Sequence, residues 1–579
     1  MVNKRKEREN HGMKKILCIL LILCVCLSLA ACGGTKGGNT PAPTPAPTQA
    51  PSGGNEPAPT GEPAPDNTPA GGSEPAPAPV KDEVIAAITT EITSGYDPIK
   101  GYGLRYDPIL QSRLVKTWNG VITDDLATDY SVDESGKVWR FTIRDDAYFS
   151  NGEKVKASDA AFTFNQTKTG GGNLDLTNMV SAEAEDEHTV KFTLAEPDYT
   201  FIYQISKLGI VPEAGYGDDY SENPIGSGPY KMVRWDKGQQ AIWEYNELYY
   251  GPEPAIKRIV LVFMDEDAAF AAAQRGDVDI VYTNQSLATQ SISGYHLVNV
   301  ETINNFGIIF CTVPDEGKTT ADGKKIGNNV TCDVAIRQAI SLGIDREKLC
   351  NDVFNGFGQP SSSMCDLMPW FNEETALNET NSGPDVARKI LEDAGWVDTD
   401  GDGIREKNGQ KAEFTLYYTA TMGNRQMVAM AVAEQAKDLG INVIPCGAPN
   451  SDIQQLFHSE AYVFGRGDHT PVEFYLMSST NSIGAGWSNS GYYSNPTVDE
   501  YFRKAMASSS LEDVYKYYKL AQWDGTTGAS HIGDAPDAWF VRVDNCFFVR
   551  DGLDIGTQSL HPHGAALQVL NNILEWKWN

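Results

Sequence analysis

Aromatic side chains are missing from the start of the chain: the first is Tyr96, although the 579 residues include 11 Trp, 25 Tyr and 21 Phe. Residues 1–80 therefore hold no large ring around which a core could form, and the folded body is expected to begin near Lys81. Basic charge is also scarce, with 47 Lys and Arg against 77 Asp and Glu and a formal net charge of −30. The deficit is uneven: residues 1–32 carry a net +4, residues 33–80 a net −3 and the body −31. So acidic a surface repels phosphate backbones and anionic headgroups, which argues against nucleic acid as a partner and against a basic patch as the route to a membrane. No hydrophobic run attains the ~18 residues of a membrane-spanning helix. No Cys-x-x-Cys pair or Cys/His cluster has zinc spacing, and Gly-x-Ser-x-Gly and His-Glu-x-x-His are absent. Neither a cofactor nor catalysis is expected, with a secreted hydrolase built on paired carboxylates kept as an alternative.

The N-terminus reads as an address. Lys14 and Lys15 precede an uncharged run of sixteen residues, Ile16 to Ala31, so residues 1–31 are expected to be a signal peptide, with Met1 or Met13 as the start. The run ends Leu29-Ala30-Ala31-Cys32, which resembles the lipobox of bacterial lipoproteins and implies that the Cys32 thiol carries a lipid, holding the chain on the extracytoplasmic face of the cell membrane. Residues 32–80 contain 13 of the 31 prolines, in Pro-Ala-Pro units broken by Gly-Gly pairs, and read as a lipid-anchored linker. Such a tether reaches about 150 Å as polyproline II and about 40 Å as a coil.

The body exceeds the roughly 250 to 300 residues at which a single core stops growing, so two or more lobes are expected. Short β-rich runs open it: Val84 to Thr90, the alternating Trp139-Arg140-Phe141-Thr142-Ile143, and Val190 to Leu194. Strand–helix–strand patterns follow. Asp265 to Arg275 has an acidic opening, alanines and a closing Gly276, between apolar runs 259–263 and 278–282. Phe414 to Thr419, a helix over Arg425 to Leu439 with Val428, Ala431 and Ala436 inward, and Ile441 to Ile444 repeat the pattern. The fold class is α/β. Cys311, Cys332, Cys350, Cys365, Cys446 and Cys546 are equally compatible with a disulfide and with buried thiols.

Several stretches resemble the bacterial extracellular solute-binding proteins of family 5. The most specific runs from Asp125-Leu126-Ala127-Thr128-Asp129-Tyr130 through Trp139 to Ile143 and Asn151-Gly152 to Ala157-Ser158-Asp159-Ala160-Ala161-Phe162, a hairpin leading into a helix capped by Ser158 or Asp159. Pro224-Ile225-Gly226-Ser227-Gly228-Pro229-Tyr230, Asp333 to Ile340 and Ile344-Asp345-Arg346-Glu347 are also family-like. Gly226-x-Gly228 lacks the rest of a phosphate loop and is expected to be a tight interlobe turn.

The resemblance implies a two-lobed, periplasmic-binding-protein-like type II fold with a ligand cleft between lobes: 81–305 as the first part of lobe I, 306–540 as lobe II and 541–579 as the return to lobe I. It implies a monomeric binding subunit of an ABC importer that closes on a short peptide and presents it to a permease and its ATPase. A nickel or other metal chelate is the alternative ligand. In peptide-binding relatives an Asp-x-x-Pro-type aspartate pairs with the peptide's α-amino group, and Asp468 followed by Pro471 matches. Arg466, His469, Tyr96 and Trp487 join Asp468 as candidate ligand contacts, and His469 or His458 as the metal contact of the alternative. Asp398-Thr399-Asp400-Gly401-Asp402-Gly403 imitates half of an EF-hand loop, but position 12 is Gly409, leaving a calcium cage open.

Overall fold

The computed structural model describes residues 81–579 apart from Thr90, Arg105 and residues 171–173 and 562–564. The expected signal segment and linker, with Cys32, lie outside the described residues. No helix among those described is long and apolar enough to cross a membrane.

A seven-stranded sheet is built around the apolar strand Glu83–Ile88, which runs parallel to Arg258–Phe263 on one side and to Ile280–Thr283 on the other. The helix Glu266–Arg275 joins those two flanking strands. Asp265 caps it by accepting from the Ala268 amide at 2.8 Å, and Gly276 ends it at φ 77. The two strands of the expected unit are thus not neighbours. Glu83–Ile88 is apolar on both faces, so it takes the doubly covered place between them.

The second sheet has six strands, in the order Gly358–Pro360, Asp537–Val543, Asn305–Ile309, Ala461–Arg466, Glu413–Thr419 and Asn442–Ala448. Its last two are parallel and joined by the helix Gly423–Ala436, which tightens into the 3-10 turn Lys437–Leu439 before Gly440 at φ 77. Val428 and Ala436 are buried, and Ala431 is half-buried against the same core.

The chain passes from the first sheet to the second through residues 301–304, and returns across Asp544, between Val543 of one sheet and Asn545 of the other. The Thr302 hydroxyl donates to the Val543 carbonyl at 2.9 Å and ties the two passages together.

The most family-like stretch forms a four-stranded antiparallel sheet. Trp139 and Phe141 stack at 6.1 Å on its buried face, and the helix Ala157–Thr169 follows. Of the two expected caps, Asp159 serves: its carboxylate accepts from the Lys156 amide at 2.8 Å.

The other family-like runs also have structural reasons. Arg337 donates to the carbonyls of Thr331, Cys332, Asp534 and Ala535. Arg346 donates to those of Ser341, Ile344, Ser361 and Trp539. Both guanidinium groups are buried, and their planar forks fasten helices to the strand Asp537–Val543 and the chain leading into it. Each acceptor left bare would cost about 1–3 kcal/mol. Gly226 and Gly228 are not an interlobe turn. They press against residues 109–110, where a Cβ on Gly226 would lie 1.8 Å from the Leu110 carbonyl oxygen and one on Gly228 2.3 Å from that of Ile109. All six body cysteines are thiols, four of them buried.

Candidate ligand-binding site

The strand Ala461–Arg466 of the six-stranded sheet delivers Asp468 and His469 to the gap between the sheets. Gly467 makes the turn possible: a Cβ there would stand 1.8 Å from the Ile303 carbonyl oxygen, so only glycine lets the chain pass so close to the crossing segment. From the opposite side, Lys207 follows the helix Phe201–Ile205, and its ammonium meets the Asp468 carboxylate at 2.6 Å. Both side chains are largely covered, at 22% and 14% exposure.

Asp107 and Arg113 form a second pair at 2.8 Å on the same cavity wall. Burial works against the Asp107 carboxylate, but Arg113 and then His561 outweigh it and hold its pKa below the usual range. Burial lowers the pKa of His469 despite Asp468 beside it, so its ring is neutral at pH 7. Its Nε2–H donates to the Leu560 carbonyl at 2.6 Å, which leaves Nδ1 as acceptor toward the Thr117 hydroxyl at 3.5 Å. The space these groups enclose is about 40 Å³, room for a few waters. A chamber of about 230 Å³, lined by Gln111, Trp118 and Tyr249, adjoins it through the shared Asp107, Arg113 and Thr117. The Lys207–Asp468 pair spans the gap between the two sides of this space.

The remaining candidates lie elsewhere. Tyr96 is wholly buried in the first core, edge-on to Tyr102 at 5.2 Å and to Trp235 at 5.3 Å. Its position just after a strand suggested the cleft, but Gly95 at φ 82 and the bond from the Tyr96 amide to the Ser221 carbonyl turn it inward. Arg466 pairs with Glu473 at 2.6 Å and stands with Arg425 over Phe464, whose ring stacks on Trp487 at 5.0 Å. That layer belongs to the second lobe and does not line the cavity beside Asp468. His458 is buried against Phe457, with Nδ1 at 3.2 Å from the Ser490 carbonyl, and does not meet His469.

Among the described residues, the carboxylates close enough to share an ion are those of Asp398, Asp400, Asp402 and Glu406. Glu406 adds a fourth ligand that the loop reading did not contain, and the Lys411 ammonium pairs with Asp402 and approaches Asp400 at 3.4 Å. The cluster carries a cation of its own.

The profile described as Bacterial extracellular solute-binding proteins, family 5 Middle, matches residues 121–488. The chain belongs to this family. Protein XP55 of Streptomyces lividans is 28% identical over 441 residues, 73% of this chain and 76% of that protein. The oligopeptide-binding protein AppA of Bacillus subtilis is 25% identical over 414 residues, 67% of this chain and 73% of that protein. The crystal structure of NikZ from Campylobacter jejuni in complex with Ni(L-His) superposes with a TM-score of 0.64 at 22% identity, covering 86% of this chain and 99% of that one. The two-lobed α/β fold is the fold of this family.

One element of this solute-binding protein escaped the reading of its sequence. The strands Val115–Trp118 and Val121–Asp124 form a hairpin whose tip, Asn119-Gly120, takes positive φ at both residues, the same turn signal that Asn151-Gly152 carries. The tip reaches the second lobe: a Cβ on Gly120 would lie 2.9 Å from Pro369 Cδ. The Asn119 carboxamide accepts from the Leu560 amide at 2.8 Å. Tyr203 donates to the Gly120 carbonyl, bonds the Tyr515 hydroxyl at 2.6 Å and packs edge-on to Trp370. Overpacking against Pro369 costs about 1–3 kcal/mol and weighs on the form in which the tip meets the second lobe, whereas the strain of a Cβ at φ 80 is carried by the hairpin itself in every form. Gly120→Ala is therefore expected to weaken ligand binding roughly tenfold by calorimetry while leaving the circular dichroism of the unliganded protein intact. Unchanged affinity would show that closure does not need the tip.

Proposed function

We propose that this family 5 protein captures short peptides as the substrate-binding subunit of an ABC importer. Its lobes, 81–305 with 541–579 and 306–540, close on the ligand and present it to the permease and its ATPase. The observation that carries the peptide reading is the contact between Lys207 and Asp468. A carboxylate that already holds an ammonium at 2.6 Å inside a closed cleft has the charge and the placement that a peptide's α-amino group requires. A ligand touching both lobes only when they are shut shifts the equilibrium toward that form by its differential affinity. The adjoining 230 Å³ chamber offers room for a side chain. The proposal assigns the protein no catalysis and keeps it a monomer. It retains Asp468 and His469 as ligand contacts and leaves Tyr96, Arg466 and Trp487 to packing.

The peptide is preferred to a metal chelate because the His469 ring is engaged by Leu560 and Thr117 and stands apart from His458. Lipid on Cys32 holds the protein at the extracytoplasmic face of the membrane in this reading.

Asp468→Ala is expected to weaken peptide binding about a hundredfold, in keeping with the loss of a desolvated charge pair, with an unchanged fold. Equal affinity in calorimetry would remove Asp468 from the site. Cys32→Ser is expected to move the protein from the membrane fraction to the soluble one, and its retention there would refute the lipid anchor.

A further inference from the structure

We propose that Lys207 is the receptor for the ligand's carboxylate, and that the ligand is a short zwitterion which parts Lys207 from Asp468 and takes one of them at each of its own charges. This rests on the reading of Asp468 as the acceptor of the ligand's ammonium.

The pair crosses the cleft. Lys207 comes from the chain after Phe201–Ile205 and Asp468 from the end of Ala461–Arg466, and the two meet at 2.6 Å. With the pair intact the cavity holds about 40 Å³, so a ligand reaching Asp468 must displace Lys207. The displaced ammonium then needs an anion. Asp107, the other carboxylate among the described lining residues, is held by Arg113 at 2.8 Å. His469 is neutral and bonded to the Leu560 carbonyl, so it provides no charge.

A ligand that is only a cation would satisfy Asp468 and leave Lys207 as a partly buried charge without a counter-ion. A ligand that is only an anion would draw Lys207 away from Asp468 and bring no ammonium in its place. Uncompensated buried charge is strongly unfavourable. A molecule with an ammonium and a carboxylate replaces both halves of the pair and leaves the charge of the cavity unchanged. The flexible four-carbon stem of Lys207 can follow such a carboxylate as the lobes adjust. Lys207 is thus a specificity residue: it makes Asp468 select free amino acids or peptides with both termini charged over amines, amides and esters.

The test measures calorimetric affinity for Ala-Ala, its C-terminal amide and N-acetyl-Ala-Ala, in the wild-type protein and in Lys207→Met, Lys207→Arg and Asp468→Asn. Wild type is expected to bind the free dipeptide at least twentyfold more tightly than either blocked form. Lys207→Met should bind free acid and amide within about threefold of each other while still rejecting the N-acetyl form, and Lys207→Arg should restore preference for the free acid. Lys207→Met that keeps the wild-type acid preference, or that binds Ala-Ala more tightly than wild type, would overturn the proposal and leave Asp468 in place. Asp468→Asn that still rejects the N-acetyl form would instead overturn the Asp468 reading, and this proposal with it. A wild-type protein that binds none of the three would overturn both. Thermal melting of each variant verifies that the fold is kept.

Discussion

The ion pair between Lys207 and Asp468 is the contact on which the closed molecule turns. It joins the two α/β lobes across the cavity between them, and nearby features hold its members together. Gly467 lets the chain carrying Asp468 slip past the Ile303 carbonyl. The Asn119-Gly120 tip and Tyr203 seat the first lobe on residues 368–370 and on Tyr515 of the second. His469 bonds the Leu560 carbonyl and so ties the segment beside Asp468 to the returning chain. A cleft that already contains a matched pair of charges does not wait for a ligand to supply attraction. In the mechanism proposed above, a ligand replaces an existing interaction, so the chemistry of both of its ends matters.

Such a mechanism needs lobes that move as rigid bodies. Aromatic packing around Tyr96, Trp235 and Trp243 fills a core in one, an aliphatic layer around Val428, Leu416 and Ile340 fills a core in the other, and a third core, with Trp139 and Phe141 from the first lobe and Phe474 and Tyr518 from the second, is shared. In the second lobe Arg337 and Arg346 replace apolar contacts with networks of charge-assisted bonds to backbone carbonyls, so that helices cannot slide on the strand Asp537–Val543. Between the sheets the chain runs only through residues 301–304 and Asp544, and these passages are bound to each other through Thr302. Bending is thereby concentrated where few backbone bonds must change.

Much of the local structure was legible in the sequence because its causes are local. Asp265 and Gly276 bound a helix by capping chemistry, Gly152 at φ 90 closes a tight turn inside the Tyr148–Lys154 bridge, and the alternation from Trp139 to Ile143 marks a strand with one buried face. Strand order was not legible: nothing within residues 258–283 indicates that Glu83–Ile88 will lie between their strands. Of the proposed site, the resemblance to family 5 offered Asp468 and His469 as candidates but gave no sign of Lys207, which lies 261 positions from Asp468. Tyr96 shows the limit of inference from position, since a large ring beside a loop fits a pocket wall and a core equally well until the backbone direction is known. The cysteine count likewise left thiol and disulfide equally open, and the fold keeps all six as thiols.

The most direct measurement is a crystal structure of the protein with Ala-Ala bound. Lys207 Nζ and Asp468 Oδ2 are expected to separate beyond the ~4 Å limit of an ion pair, with the dipeptide's ammonium on Asp468 and its carboxylate on Lys207. A dipeptide bound elsewhere, with Lys207 and Asp468 still in contact at 2.6 Å, would contradict it.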